Sequence, residues 1–300
     1  MSAEEAASLY KRLESEDFRV LLGVELGMMS HEFVPINAIV KYSNLIEEEV
    51  DFRLRRLHVL NLLKRRSKPF LGFALNYLGY DCLAINALVK SGYLEALGKP
   101  LGIGKESDVY DALGIGGMEV AVKFMRLGRI SFRSTRRTRA YVANRGHMSW
   151  LYQSRLAAER EFQALKELHK AGVAVPRPIA QNRHVIVMEI IRGAELADYY
   201  EIPKPKAVLR EILRNLRKAY LKAHIVHSDL SEFNVIIKPD GHIFIIDWPQ
   251  YLKKDHLGAD EYLKKDIGNI LRFFRRKFKV KLELKDALDF VMGFSKTLKI

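Results

Sequence analysis

Cysteine is nearly absent: Cys82 is the only one in 300 residues. No disulfide can form within the chain, and no zinc site can be built from thiolates. Cys82 lies in an apolar run and reads as a small core residue. Long hydrophobic stretches are missing too, since no run approaches the ~18 apolar residues of a membrane span. Met1 to Phe18 is acidic and amphipathic, unlike a secretory signal. An intracellular, cytoplasmic chain with no membrane partner is expected. The nine histidines include no pair at the i, i+4 spacing of a helical metal site. Acidic residues are the minority, 36 against 50 Lys and Arg, for a formal charge of +14. That excess suggests an anionic partner, nucleic acid being the commonest. A merely solvated basic surface is the alternative. With 48% hydrophobic residues, the chain is long and apolar enough for one large or two ordinary domains.

Residues 1–90 read as a winged helix-turn-helix domain. Leu9, Leu13, Val20, Leu21 and Val24 recur at helical spacing and predict a first helix ending near Gly27. Pro35 opens a second helix, Ile36 to Ser43. Asn44 is assigned as the cap of a third, Leu45 to Lys64. Pro69 to Tyr80 reads as two short strands and a turn, the wing, followed by a helix over 81–98 that ends at Gly98. Acidic and basic residues balance here, 12 of each. The cations nevertheless cluster in the third helix and wing. Arg53, Arg55, Arg56, Arg65 and Arg66 are therefore candidate nucleic-acid contacts. The alternative is a winged helix used for protein contacts or packing.

The second part opens with Leu101-Gly102-Ile103-Gly104-Lys105-Glu106-Ser107-Asp108-Val109. Two glycines allow a tight turn and close approach of backbone to phosphate. Ser107 stands where a full G-x-G-x-x-G has its third glycine, so this signal is weak by itself. The strand Glu119 to Phe124 strengthens it, with Lys123 some twenty residues after the glycines. Such a lysine needs a carboxylate to orient it. On the predicted helix from Ser149 to Lys170, Glu161 aligns with Ala157, Leu165 and Leu168 and faces inward, whereas Glu159 faces solvent. Glu161 is the expected partner of Lys123.

Arg126 to Gly146 contains seven arginines and no Asp or Glu, with Phe132 and Tyr141 interleaved. It reads as a loop suited to phosphate backbone, with Arg133, Arg136, Arg137 and Arg139 as candidate contacts. A solvated insertion is the alternative. His184 to Gly193 is a buried strand running into a linker. Backbone at Glu189 and Ile191 offers an acceptor and a donor to a nucleotide base, and Met188 a polarizable wall. A helical segment then leads into Ile225-Val226-His227-Ser228-Asp229-Leu230-Ser231-Glu232-Phe233-Asn234, and a further short strand ends at Asp247. Asp229, Asn234 and Asp247 are oxygen ligands or bases brought to one rim. Such a set can hold magnesium and align a hydroxyl or water with a γ-phosphate.

With these pieces in order, the chain from Leu101 onward resembles the RIO type of atypical protein kinases. The winged helix, the A-V-K lysine, the arginine-rich insertion and H-S-D-L-S-E-F-N followed by I-D-W-P-Q resemble its RIO2 subfamily, in an archaeal form. The resemblance implies an α+β fold: an N-terminal winged helix (1–90), a kinase N-lobe (91–192) with an arginine-rich flexible loop (126–146), and a reduced C-lobe (193–300). It implies Asp229 as the catalytic aspartate, and Asn234 and Asp247 as ligands of Mg2+ or Mn2+. Lys123 becomes the phosphate-binding lysine and Glu161 its ion-pair partner. Gly102, Gly104, Lys105, Glu106, Ser107 and Val109 line the ATP, and Asp247 can also accept a phosphoryl group. It further implies a serine/threonine kinase or ATPase acting on the small ribosomal subunit precursor, both rRNA and ribosomal proteins, with a monomer expected.

Departures from ordinary kinases are plain. His227-Ser228-Asp229 lacks the usual arginine, Ser231 stands where a lysine is common, and Asp247-Trp248-Pro249 lacks the D-F-G glycine. No A-P-E motif follows, and only about fifty residues remain after Asp247, too few for the usual peptide-docking helices. An ATP-driven binding switch fits this better than a kinase with many peptide substrates. Two other classes stay open: a nucleic-acid-binding regulator that only senses ATP, and a small-molecule phosphotransferase. The retained Asp229 argues against the first, the winged helix and arginine-rich stretch against the second.

Overall fold

The computed structural model describes residues 3–128, 149–298 and 300. Arg133, Arg136, Arg137 and Arg139 lie outside the described residues. The described chain gathers into two compact units. The first holds 3–128, 149–155 and 180–185, and the second holds 156–179 and 186–298. No helix among the described residues is long and apolar enough to cross a membrane.

The first unit begins with α1 (Ala3–Tyr10) and α2 (Ser15–Gly27), where one helix was expected. The break has a local cause. Glu14 N–H donates to the Asp17 carboxylate at 2.9 Å, a capping box that starts a new helix at Ser15. β1 (Val34–Pro35) and α3 (Ile36–Ser43) follow. Gly23 of α2 lets α3 come close, because a Cβ there would meet the Ile39 carbonyl at 3.2 Å. Asn44 adopts a left-handed conformation, φ 54°, and closes α3 instead of opening the next helix. α4 starts later, at Glu47–Val59.

The wing is β2 (Leu63–Arg66) against β3 (Gly72–Leu75), with β1 on the far side of β3. The second expected wing strand is helical instead. The Asn76 carboxamide accepts from Gly79 N–H at 3.0 Å and caps α5, Tyr77–Lys90. That helix buries Cys82 together with Leu78, Leu83 and Leu88. It stops at Lys90, just before Gly92 at φ 76°, so Gly98 falls in a strand and not at a helix end.

β4 (Ala96–Ile103), β5 (Ser107–Leu113) and β6 (Glu119–Met125) form an antiparallel meander. β7 (Pro178–Asn182) and β8 (Val185–Glu189) extend the sheet in the order β4-β5-β6-β8-β7. Arg126, expected in the arginine-rich loop, is buried. Its guanidinium donates to Asp81 at 2.6 and 2.8 Å and to Asp108 at 3.2 Å. A cation removed from water requires such partners. His184 joins them, 2.8 Å from Asp81 and stacked on Tyr80. Burial holds its imidazole below the usual pKa, against the pull of Asp81.

α6 (Trp150–Lys170) runs into the second unit, where Ala157, Glu161, Leu165 and Leu168 are buried on one face. β9 (Ala194–Glu195) and α7 (Pro205–Lys218) follow, and α7 continues into a π-helical turn, Ala219–Ala223. β10 (Ile225–Val226), β11 (Val235–Ile237), β12 (Ile243–Ile245) and β13 (Leu252–Lys253) build two small sheets, β12-β11-β9 and β10-β13. α8 (Ala259–Phe278) and α9 (Leu284–Met292) complete the unit. Its core gathers Leu209, Ile212 and Leu213 of α7, Ile267, Ile270 and Phe274 of α8, and Trp248. Each such side chain contributes roughly 1.5–3 kcal/mol by leaving water.

Candidate active site

β10 is two buried apolar residues that anchor a polar loop. Just past it, Ser228 turns left-handed at φ 70°. Asp266 of α8, wholly buried, accepts from Ser228 N–H at 2.7 Å and from Leu230 N–H at 2.9 Å. Asn269, three residues on, donates to the Leu230 carbonyl at 3.1 Å. The Ser228 hydroxyl donates to the Gln250 carbonyl at 2.6 Å. Asp229 thus sits on a backbone tied on both sides, with its own carboxylate at the exposed rim.

His227 connects this loop to the second carboxylate. Its Nδ1 accepts from Asp229 N–H at 3.4 Å, and its Nε2 faces the Ile246 carbonyl at 3.0 Å. The ring packs on Trp248, with centroids 4.4 Å apart. From the other side, Ile246 N–H donates to the Asn234 carbonyl at 3.0 Å. The Asn234 side chain donates through Nδ2 to the Asp229 carbonyl at 2.9 Å. Asp247 follows Ile246 in a left-handed conformation, φ 67°, unusual for a non-glycine residue. Trp248 holds its other flank: the indole donates to the Ile245 carbonyl at 3.0 Å, and the Trp248 N–H meets Glu161 Oε1 at 3.4 Å. Arg160 clamps the segment beyond, donating to the Tyr251 carbonyl at 2.8 Å and to that of Pro249 at 3.3 Å.

The electrostatics follow from this crowding. Partial burial raises the Asp229 carboxyl above the usual carboxylate range; His227 and Lys265 oppose the shift and Asp247 adds to it. Asp266 is pushed up to about 7, chiefly by burial. Its two N–H donors counteract that rise.

The donor set of Asp247 and the Asn234 amide oxygen is all oxygen, which suits a hard cation. Among the described residues no group of three His, Cys, Asp or Glu could hold a metal. Mg2+ characteristically needs no such cage, since one or two protein ligands share it with substrate phosphates and water. The residues therefore fit a nucleotide-borne magnesium better than a resident metal.

The first unit carries the other expected elements. Gly102 lies opposite Val109, and Val109 opposite Lys123, so the three form one row across β4, β5 and β6. Strand spacing puts the ends of that row about 10 Å apart. Open space surrounds the missing Cβ of Gly102, whereas at Gly104 a Cβ would lie 3.1 Å from the Ser107 carbonyl. Gly104 N–H donates to that same carbonyl at 2.8 Å. Gly104 is thus the turn-former and Gly102 the point of open approach, with Lys105 and Glu106 between Gly104 and Ser107 in the turn. Lys123 is 4% exposed.

In the second unit Met188 is buried at the end of β8, and Glu189 N–H donates to the Arg177 carbonyl at 2.9 Å. Ile191 N–H makes no hydrogen bond among the described residues. The second unit brings together Asp229, Asn234, Asp247 and Glu161; the first brings together the glycine turn, Val109 and Lys123.

Two groups were missing from the sequence reading. Asp266 and Asn269 sit in what looks like a plain amphipathic helix. The available signal was a carboxylate within the apolar row Leu263–Asp266–Ile270. The winged-helix arginines also sort differently from their sequence grouping. Arg53 is 8% exposed and bound to Glu14 at 2.7 Å and Glu49 at 2.6 Å, with Asp17 3.4 Å away. Arg56 pairs with Glu14 and Asp17 and donates to the Arg12 carbonyl at 2.7 Å. Arg66 is stacked on Phe33 and Phe70. Arg55, though paired with Asp51, is exposed, as are Lys64 and Arg65.

Comparison with known proteins matches residues 108–287 to the RIO domain and residues 10–91 to the N-terminal domain of Rio2. The RIO-type serine/threonine-protein kinase Rio2 of Methanocaldococcus jannaschii is 43% identical over 261 residues, 85% of this chain and 94% of that protein. The serine/threonine-protein kinase rio2 of Schizosaccharomyces pombe is 38% identical over 278 residues, 92% of this chain and 80% of the relative. A crystal structure of a Rio2 kinase–ADP/Mg2+–phosphoaspartate complex from Chaetomium thermophilum superimposes with a TM-score of 0.79 at 32% identity. The match covers 97% of this chain and 93% of that one.

Proposed function

The chain belongs to the RIO kinases, in the Rio2 group, and from that premise we propose an ATP-dependent atypical serine/threonine kinase and ATPase that acts in the cytoplasm on precursors of the small ribosomal subunit. The observation that carries the catalytic part is the mutual tethering of Asp229, Asn234 and Asp247 through His227 and Ile246. The backbone that carries these three oxygen-bearing side chains is thus fixed before any nucleotide arrives. A relative crystallised with ADP and Mg2+ supports the same ligands here.

Asp229 orients the attacking oxygen and takes its proton, a role helped by its raised pKa. Asn234 and Asp247 would hold Mg2+, which would supply positive charge against the phosphates. Lys123 and the Gly102–Ser107 turn are assigned to the nucleotide phosphates, and Glu161 to orienting the lysine. Met188, the Glu189 carbonyl and the Ile191 N–H receive the base. In the hydrolytic branch an Asp247 carboxylate oxygen attacks the γ-phosphorus. The bond from that phosphorus to the bridging oxygen breaks and ADP departs. Water then cleaves the acyl phosphate to inorganic phosphate and restores the carboxylate. RNA contact is assigned to Arg55, Arg65 and the arginine-rich 129–146 stretch.

The test is turnover of ATP by wild type and Asp229→Ala, with and without small-subunit precursors. The variant is expected to lose activity by roughly three orders of magnitude while retaining ATP binding. Unchanged turnover would defeat the enzymatic reading. A hydroxylamine-sensitive phosphoenzyme that persists in Asp247→Ala would remove the hydrolytic branch.

A further inference from the structure

α7 carries a feature that phosphoryl transfer does not use. Lys206, Arg210, Arg214 and Lys218 recur at every fourth position, and Lys222 continues the series in the π-helical turn. Each step advances about 6 Å along the axis and turns about 40°, so the cations wind across the side of the helix away from its buried face. The opposite side is buried and apolar but for Asn215: Val208, Leu209, Ile212, Leu213 and Leu216. Like charges at this spacing oppose helix formation, so the row works against the element that bears it. Packing alone would be served as well by glutamine or alternating charges.

No carboxylate among the described residues forms an ion pair with the row, and Glu211 alone beside it offsets part of its charge. Lys206, Arg210, Arg214 and Lys222 make no hydrogen bond or ion pair among the described residues. Lys218 donates to the Gly172 carbonyl at 2.7 Å and keeps its charge. The carboxylate beside them, Glu211, is already engaged by His242, 3.3 Å away, and by the Ile243 N–H. Arg210, Arg214 and Lys218 line a groove of about 600 Å³ together with His169, His242 and the single carboxylate Glu211. The groove is open, carries net positive charge and holds no Phe, Tyr or Trp, so it suits a charged backbone.

We infer that the Lys206–Lys222 face of α7 and its adjoining groove bind the phosphodiester backbone of RNA. The site lies within the second unit. It deepens the RNA part of the reading above and does not depend on the phosphoryl-transfer part. Spacing along the helix lets one strand lay successive phosphates against successive cations, without base readout.

Binding of a short unstructured labelled RNA to the full chain tests this across a range of KCl. Arg210→Gln/Arg214→Gln is expected to make the slope of log affinity against log salt shallower by about 1.4, at ~0.7 for each phosphate no longer neutralised. Arg210→Lys/Arg214→Lys is expected to keep the wild-type slope. ATP turnover, unchanged in both, reports that the chain is folded. An unchanged slope in the glutamine variant overturns the site. So does loss of binding to a phosphoserine peptide with RNA binding intact, which would assign the groove to a protein partner. If wild type itself binds no RNA, both this site and the RNA part of the function fail, while turnover still judges the kinase chemistry.

Discussion

Ser228 and Asp247 both hold left-handed backbone without being glycine. Such strain persists only where neighbours over-determine it. Here the neighbours are Asp266, which takes the N–H groups of Ser228 and Leu230, and the pair of bonds on Ile246. Asp266 is therefore a positioning residue for Asp229. Its folded pKa of about 7 lies above the ordinary aspartate value, so burial favours its protonated form. Its stabilising contribution is full below about pH 4, declines as pH rises towards 7, and is level above that. In Asp266→Asn that pH-dependent loss of thermal stability should disappear from the melting profile. The amide also presents N–H to a backbone N–H, loosening the loop. kcat is expected to fall roughly tenfold to a hundredfold, with KM for ATP little changed. A variant that keeps the wild-type kcat and the wild-type slope of Tm against pH would show that the loop does not depend on Asp266.

At the scale of elements, α4 is the instructive case. Its sequence shows a run of arginines; its structure divides them by face. Arg53 and Arg56 turn toward α2 and close an ionic cluster with Glu14 and the wholly buried Asp17, while Arg55 turns outward. Arg53→Ala leaves buried acid short of a partner and is expected to destabilise the fold by about 3 kcal/mol. The salt dependence of RNA binding by the folded variant should stay as in wild type. A shallower slope without loss of stability would return Arg53 to the nucleic-acid surface. Helix boundaries had similar local causes. Asn44 and Asn76 are both good caps by composition, yet one ends a helix and the other begins one. Which role each takes depends on whether its backbone turns left-handed or extended, and composition is silent on that.

For the whole molecule, the charge of +14 is distributed, not uniform. Part of it is neutralised internally, as at Arg53, Arg56 and Arg126. If the exposed remainder meets RNA as proposed, affinity is expected to fall steeply with salt. Neutralising Arg133, Arg136, Arg137 and Arg139 together should reduce the slope by about 2.8, at ~0.7 for each phosphate. An affinity independent of salt in wild type would contradict the phosphate-backbone reading throughout.

What the sequence determined by itself was local order: a lysine on a strand after a glycine turn, an inward glutamate, and the loop from His227 to Asn234 followed by Asp247. These were legible because strand and helix periods place side chains on faces, and because the motif's residues are close in the chain. Tertiary structure decided the rest. Arg53 meets Glu14 across 39 residues, Arg126 meets Asp81 across 45, and Asp266 meets Ser228 across 38. A charge looks the same in sequence whether it faces water or a buried partner. Only packing settles which, because the energy of an ion depends on what replaces its water.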